Sequence, residues 1–284
     1  MARWKASPQH MDLQIRSLSY RYPSGVQAVN GVTFKIDSGE SIAIVGQNGA
    51  GKTTLVKHLN GLLKPTQGEI RVGDWETRSK SVAQLAARVG YVFQNPDDQL
   101  FKSSVIEEVK FGLHNLGWDS AQVDTKAQDA LDSLGISEFA REHPYDLTPG
   151  QRKLVTIASI LAMDTPIVVF DEPTTGQDFL GVELVGRVVD GLREQGKTVI
   201  MISHDIDFVA EHAGRVLVMA EGRVLLDGPT REILAQADVL AETYVEPPQI
   251  MRLAYELAMV EQPLNVEEFI AARFPESPPS FSSS

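Results

Sequence analysis

The sequence predicts an α/β fold: a core of alternating strands and helices, preceded by short strands, interrupted by a helical insertion and extended by C-terminal helices. Three observations predict it. Ser41-Ile42-Ala43-Ile44-Val45 is a short apolar run that ends in glycines, as a buried strand does. The segment "TTLVKHLNGLL" follows with leucines at helical spacing, so strand, glycine-rich loop and helix come in the order that begins an α/β core. Apolar strand-like runs then return at "PIVVF" (166–170) and "TVIMIS" (198–203), separated by the periodic segment "FLGVELVGRVVDGLREQG".

Each element can be justified in chain order. From Asp12 to about Ile44, "DLQIRSL" and "GVTFKI" alternate polar with apolar residues around a turn at Pro23-Ser24-Gly25, which is a strand pattern. Residues from about 95 to 163 are mainly helical in pattern and break the strand–helix alternation, as an insertion would. The segment "RVLVMAEGRVLLDG" reads as a hairpin with Glu221-Gly222 at its turn. From 230 to 274 the pattern is helical with a break at Pro247-Pro248. The stretch 275–284, "ESPPSFSSS" at its end, has too little apolar content to order itself and is expected to be a disordered tail.

Composition narrows the function. The net charge of −12 disfavours nucleic acid as a partner, because phosphate backbones need a basic face. A bound polyanion must therefore be met by local positive potential from lysine, metal ion or oriented amides. The absence of cysteine excludes disulfides and thiolate metal sites. The N-terminal residues lack the apolar stretch of a secretory signal, and no apolar run approaches the ~20 residues that span a bilayer.

The strongest chemical signal is Gly46-Gln47-Asn48-Gly49-Ala50-Gly51-Lys52-Thr53, a phosphate loop placed between a strand and a helix as the motif requires. Its glycines let backbone amides wrap phosphates, with Thr54 next in line; Lys52 is expected to reach the β- and γ-phosphates and Thr53 to ligate Mg²⁺. Ile167-Val168-Val169-Phe170-Asp171-Glu172 supplies the complement: a buried strand ending in an acid for the metal, Asp171, and a general base, Glu172. Leu147-Thr148-Pro149-Gly150-Gln151 reads locally as a helix start, with Thr148 as N-cap, Pro149 at the first position and Gln151 closing a capping box.

In these motifs the chain resembles the ATP-binding-cassette (ABC) ATPases from about Asp12 to Pro229. The resemblance implies a P-loop NTPase (RecA-like) core with an antiparallel β subdomain and an inserted helical signature subdomain. It further implies that Tyr22 stacks on adenine, with Tyr20 as the competing choice, and that Gln94 touches Mg²⁺ and senses a membrane partner. Asp178 matches the loop that crosses to a second subunit, and His204 the switch histidine at the γ-phosphate. Thr148, Gly150 and Gln151 stand in the family's Leu-Ser-Gly-Gly-Gln signature, which acts in trans on the ATP of the other subunit. Here Thr148 keeps the hydroxyl and Pro149 removes a donor, so two readings stand: a weakened anion-binding turn, or a hydroxyl spent on its own helix.

"VFQNPDDQLF" (92–101), "EEVKFG" (107–112), "NLG" (115–117), "EPP" (246–248) and "PLNVEE" (263–268) resemble the energy-coupling factor (ECF) transporters for cobalt and vitamins. That likeness implies a peripheral ATPase at the cytoplasmic face of the cell membrane. Its implied partners are a second, related but different ATPase subunit, a transmembrane coupling protein and a substrate-binding membrane protein. Leu100, Phe101 and Val105 are candidates for the coupling contact or for core packing. The competing class is a soluble, non-transport ABC ATPase such as the iron–sulfur assembly type, which leaves the likeness around Gln94 unexplained. A regulatory subunit that binds ATP without hydrolysing it is opposed by Glu172 and His204.

Overall fold

The computed structural model describes residues 11–274; the expected tail at 275–284 lies outside them. Strands β1 (Leu13–Arg21), β2 (Gln27–Ile36), β4 (Gln67–Val72) and β5 (Trp75–Glu76) form an antiparallel sheet in the order β2-β1-β4-β5. Between them in sequence lie β3 (Ser41–Val45) and helix α1 (Lys52–Leu59), and after them α2 (Val82–Leu85). In β1, strict alternation from Leu13 and Ile15 would turn Ser17 inward. Ser17 instead adopts a left-handed backbone (φ 48°) where the register shifts, and Leu18 takes the buried position.

The second sheet has the order β10-β9-β3-β8-β7-β6. Its strands β6 (Val89–Val92), β7 (Ile167–Asp171), β8 (Thr198–Ile202), β3 and β9 (Arg215–Ala220) run parallel, and β10 (Arg223–Pro229) closes the edge antiparallel to β9. The central strands divide their side chains between two cores. Val168, Phe170, Val199 and Met201 face one, while Ile167, Val169, Ile200 and Ile202 face the other. Burial on both faces is why these strands read as continuous apolar runs.

One core lies between this sheet, the antiparallel sheet and α1. The other extends from the opposite face into α3 (Val105–Asn115), α4 (Ser120–Ser133) and α5 (Pro149–Met163), and beneath α6 (Phe179–Glu194) and α7 (Ile206–His212). The hairpin turn falls at Glu221 and Gly222, both at positive φ (49° and 74°), as a two-residue loop requires. The C-terminal region is four short helices, α8 (Thr230–Leu234), α9 (Ala237–Glu242), α10 (Gln249–Glu256) and α11 (Val266–Arg273). Besides the break at Pro247-Pro248, periodicity did not mark the short gap between α8 and α9 or the longer non-helical stretch between α10 and α11. Strands β4 and β6 also went unread: β6 has four residues, all buried, too few to show a period.

Candidate functional site

The phosphate loop is held from below by backbone. Gly222 N–H donates to Ala50 O at 3.0 Å, and Ala50 N–H to Gln47 O at 3.1 Å. Two of its glycines are required by close approach: a Cβ on Gly46 would lie 2.1 Å from Met219 O, and one on Gly51 2.3 Å from Ala28 O. Lys52 heads α1 and is buried, its Nζ donating to Gly46 O at 2.6 Å and Gln47 O at 3.1 Å. Burial draws its pKa below the usual lysine range, against the opposing pull of Glu172 and Asp171.

The strand order sets β7 close to this loop, beyond β8. Asp171 Oδ1 accepts from Thr53 Oγ1 at 3.4 Å and Oδ2 from Tyr91 OH at 2.7 Å. Burial and the neighbouring Asp171 charge push the Tyr91 phenol well above its ordinary pKa, so it remains a donor. Thr53 hydroxyl, Asp171 carboxylate and the exposed Gln94 amide are hard oxygen donors, a set that fits Mg²⁺.

Glu172 follows with an unusual backbone, φ 50° in a non-glycine residue, a conformation that costs about 1–3 kcal/mol and persists where neighbours over-determine it. Its N–H donates to Ile202 O at 2.9 Å. Its Oε2 accepts from His204 N at 3.3 Å and lies 2.7 Å from His204 Nδ1. Glu172 is 6% exposed whereas the His204 side chain is open to solvent, so the pair spans from the wall of the site to its mouth.

An open cleft of about 980 Å³ is lined by Gly46, Gln47 and Asn48 of the loop together with Gln94, Glu172 and His204. Its far wall is Tyr244 to Gln249 and Arg252 of the C-terminal region, anchored where Gln249 N–H donates to Asp207 Oδ1 at 3.4 Å. That wall escaped the sequence reading, since no motif ties it to a phosphate loop more than 150 residues earlier in the chain. Tyr22 and Tyr20 are both half-buried but differ in contact: Tyr20 packs against the core, and Tyr22 sets its hydroxyl 3.0 Å from Thr54 Oγ1 beside the phosphate loop.

The signature segment forms the capping box. Thr148 Oγ1 accepts from Gln151 N at 3.3 Å, and Gln151 Oε1 accepts from Thr148 N at 2.9 Å and from its hydroxyl at 3.1 Å. The hydroxyl is spent on its own helix. Pro149 has no donor, so Gly150 carries the first-turn amide left without a partner among the described residues. Gln177 Nε2 donates to Gly150 O at 3.0 Å, clasping this turn to the segment before α6. Asp178 Oδ1 accepts from Gly181 N at 2.8 Å, so its carboxylate caps α6.

Of the candidate coupling contacts, Leu100 and Val105 are core residues. Phe101 is 57% exposed and meets Phe111 edge-on at 4.7 Å, with Lys102 Nζ near both rings. A residue not anticipated from sequence is Lys153. It is 1% exposed and donates to three carbonyls: Phe93 O (2.8 Å), Asp171 O (3.0 Å) and Gln94 O (3.1 Å). Burial lowers its pKa to about 8, against the attraction of Asp171 and Glu172. A lysine inside the apolar face of α5 was the signal available.

The family model described as "ABC transporter" matches residues 29–175. The chain is similar to a putative ABC transporter ATP-binding protein of Geobacter sulfurreducens, 43% identical over 244 residues, 86% of this chain and 96% of the relative. It is also similar to the energy-coupling factor transporter ATP-binding protein EcfA of Methanosphaera stadtmanae, 39% identical over 85% of this chain and 87% of the relative. It spans 45% of the length of a longer relative from Methanosarcina acetivorans. Among solved structures it resembles CbiO1 of Clostridium perfringens, part of the ABC transporter complex CbiONQ. There the TM-score is 0.72 at 34% identity, covering 88% of this chain and all of that one.

Proposed function

The chain belongs to the ABC transporter family, and from that premise we propose that it is the ATP-hydrolysing subunit of an energy-coupling factor importer for a micronutrient, a vitamin or a transition-metal ion. The observation that carries this reading is that the phosphate loop, Glu172 and His204 line one cleft, with Asp171 within 3.4 Å of Thr53 at the head of α1. The amides of Gly46 to Thr54 and Lys52 bind the phosphates of ATP, and Tyr22 offers a ring to its base. Thr53, Asp171 and Gln94 are the residues that would hold Mg²⁺, which when bound neutralises charge on the phosphate oxygens. Glu172 orients an attacking water and takes its proton, and His204 restrains that carboxylate at the mouth of the site.

No helix among the described residues is long and apolar enough to cross a membrane, so transport requires a membrane partner. The exposed Phe101–Phe111 pair supplies an apolar contact for it. Phe101→Asp is expected to lower coupled transport at least about tenfold, the cost of burying an unpaired charge in a contact, while ATP affinity stays near wild type. Equal loss of ATP affinity in a binding titration would count against the coupling role.

The second ATPase subunit is a related but different chain, and the two sites of the pair are unequal. Support comes from the signature: Pro149 removes one amide and the capping box takes another. Turnover should therefore be low for this chain alone and rise with its partner. Pro149→Gly should raise turnover at the partner-held site about fivefold, the worth of one restored hydrogen bond. A fully active homodimer indifferent to Pro149→Gly would remove the asymmetry. The experiment that tests the whole reading is affinity purification of the complex from membranes. Integral membrane proteins and ATP-dependent uptake are expected, whereas a soluble complex with ATPase activity alone would favour the non-transport alternative.

A further inference from the structure

Lys153 lies three residues beyond Gly150 on α5, so the signature turn and the lysine are about 4.5 Å apart along one rigid helix. Its ammonium makes no direct ion pair among the described residues; each of its three donors is matched to a main-chain carbonyl. An apolar side chain of the same length would fill this space without the desolvation penalty that a buried charge carries. The carbonyls it holds are not scattered. Phe93 O and Gln94 O flank the Gln94 side chain, and Asp171 O belongs to the peptide that leads into Glu172.

That last peptide is gripped from both sides. Lys153 takes its carbonyl, and Ile202 O takes the Glu172 N–H at 2.9 Å. These two bonds fix the plane of the peptide that leads into Glu172, whose backbone stands at φ 50°. Its carboxylate then reaches His204. The same ammonium therefore restrains the residues that would hold the metal and the one that would accept the proton.

We propose that Lys153 is a positioning residue that ties the signature end of α5 to this subunit's own Gln94 and Glu172, so that docking of the signature on a neighbour's nucleotide is transmitted to the groups that hydrolyse its own. The inference rests on the ATPase reading above. It assigns to one side chain the mechanical link between a half-site completed in trans and the half-site built in cis.

The test uses the full chain in the complex with which it purifies. Lys153→Met keeps length and removes every donor; Lys153→Gln keeps a donor for a carbonyl. The methionine variant is expected to retain its melting temperature and to bind ATP within about threefold of wild type, while kcat falls about 10- to 100-fold, from the loss of charge-assisted bonds to the carbonyls that position the reacting groups. Glutamine should recover part of that kcat. Should the methionine variant fail to fold, the glutamine variant decides by the same split between kcat and ATP affinity. Unchanged kcat, or affinity and melting temperature falling in step with it, would overturn the role of Lys153 alone. A wild-type complex that neither binds nor hydrolyses ATP would overturn the ATPase reading as well.

Discussion

Glu172→Gln is expected to lower ATP turnover by about 10²- to 10⁴-fold, the range that a positioned general base contributes, while ATP affinity stays within about threefold of wild type. The substitution is nearly isosteric, and the Glu172 backbone bond to Ile202 O does not involve the side chain. Folding should therefore be preserved. What changes is the oxygen beside His204, 2.7 Å from Nδ1: an amide cannot take a proton from water there. Single-turnover measurement on preloaded ATP separates this loss from any change in binding. Wild-type turnover in the glutamine variant would show that another group accepts the proton.

Gly46→Ala should be as damaging, through binding. The added Cβ would stand 2.1 Å from Met219 O, on a residue with no solvent exposure in the interior of β9, and the backbone there has φ 140°. Neither the strand nor the helix that follows can yield, so the loop must shift by roughly an ångström and its amides lose their aim. ATP affinity is expected to fall at least about 100-fold, equivalent to about 2.7 kcal/mol, with a lower melting temperature. Gly49→Ala is the informative comparison. It has positive φ (84°) but nothing within 4 Å of the added Cβ, so its loss should be confined to the backbone strain of about 1–3 kcal/mol. Equal affinity for Gly46→Ala and wild type in a calorimetric titration would refute the close-approach argument.

The legible part of this protein was the part encoded in contiguous residues. The phosphate loop and the Asp171–Glu172 strand end are each set by a few neighbouring residues whose backbone geometry is local, so their residue types and order announce them. The β9–β10 hairpin was legible for the same reason, its two apolar runs being separated by a short turn in which Gly222 takes positive φ freely. The four-residue β6 and the loop that splits the C-terminal helices were not, because neither is long enough to carry a period.

The sequence by itself determined the motifs: a glycine-rich phosphate-loop pattern between strand and helix, an apolar strand ending in Asp171 and Glu172, and a capped helix start in which proline has displaced a donor. Only the tertiary structure decided how these are held and what surrounds them. It buries Leu100 and Val105 while leaving Phe101 exposed, and it commits Thr148 and Asp178 to capping. It brings Lys153 to carbonyls 18 and 60 residues away, and seats Tyr244 to Arg252 across the cleft from the phosphate loop. The physical reason is that such contacts depend on which faces meet when two sheets and a helical layer pack. Side-chain period reports that a face is buried but not what it meets.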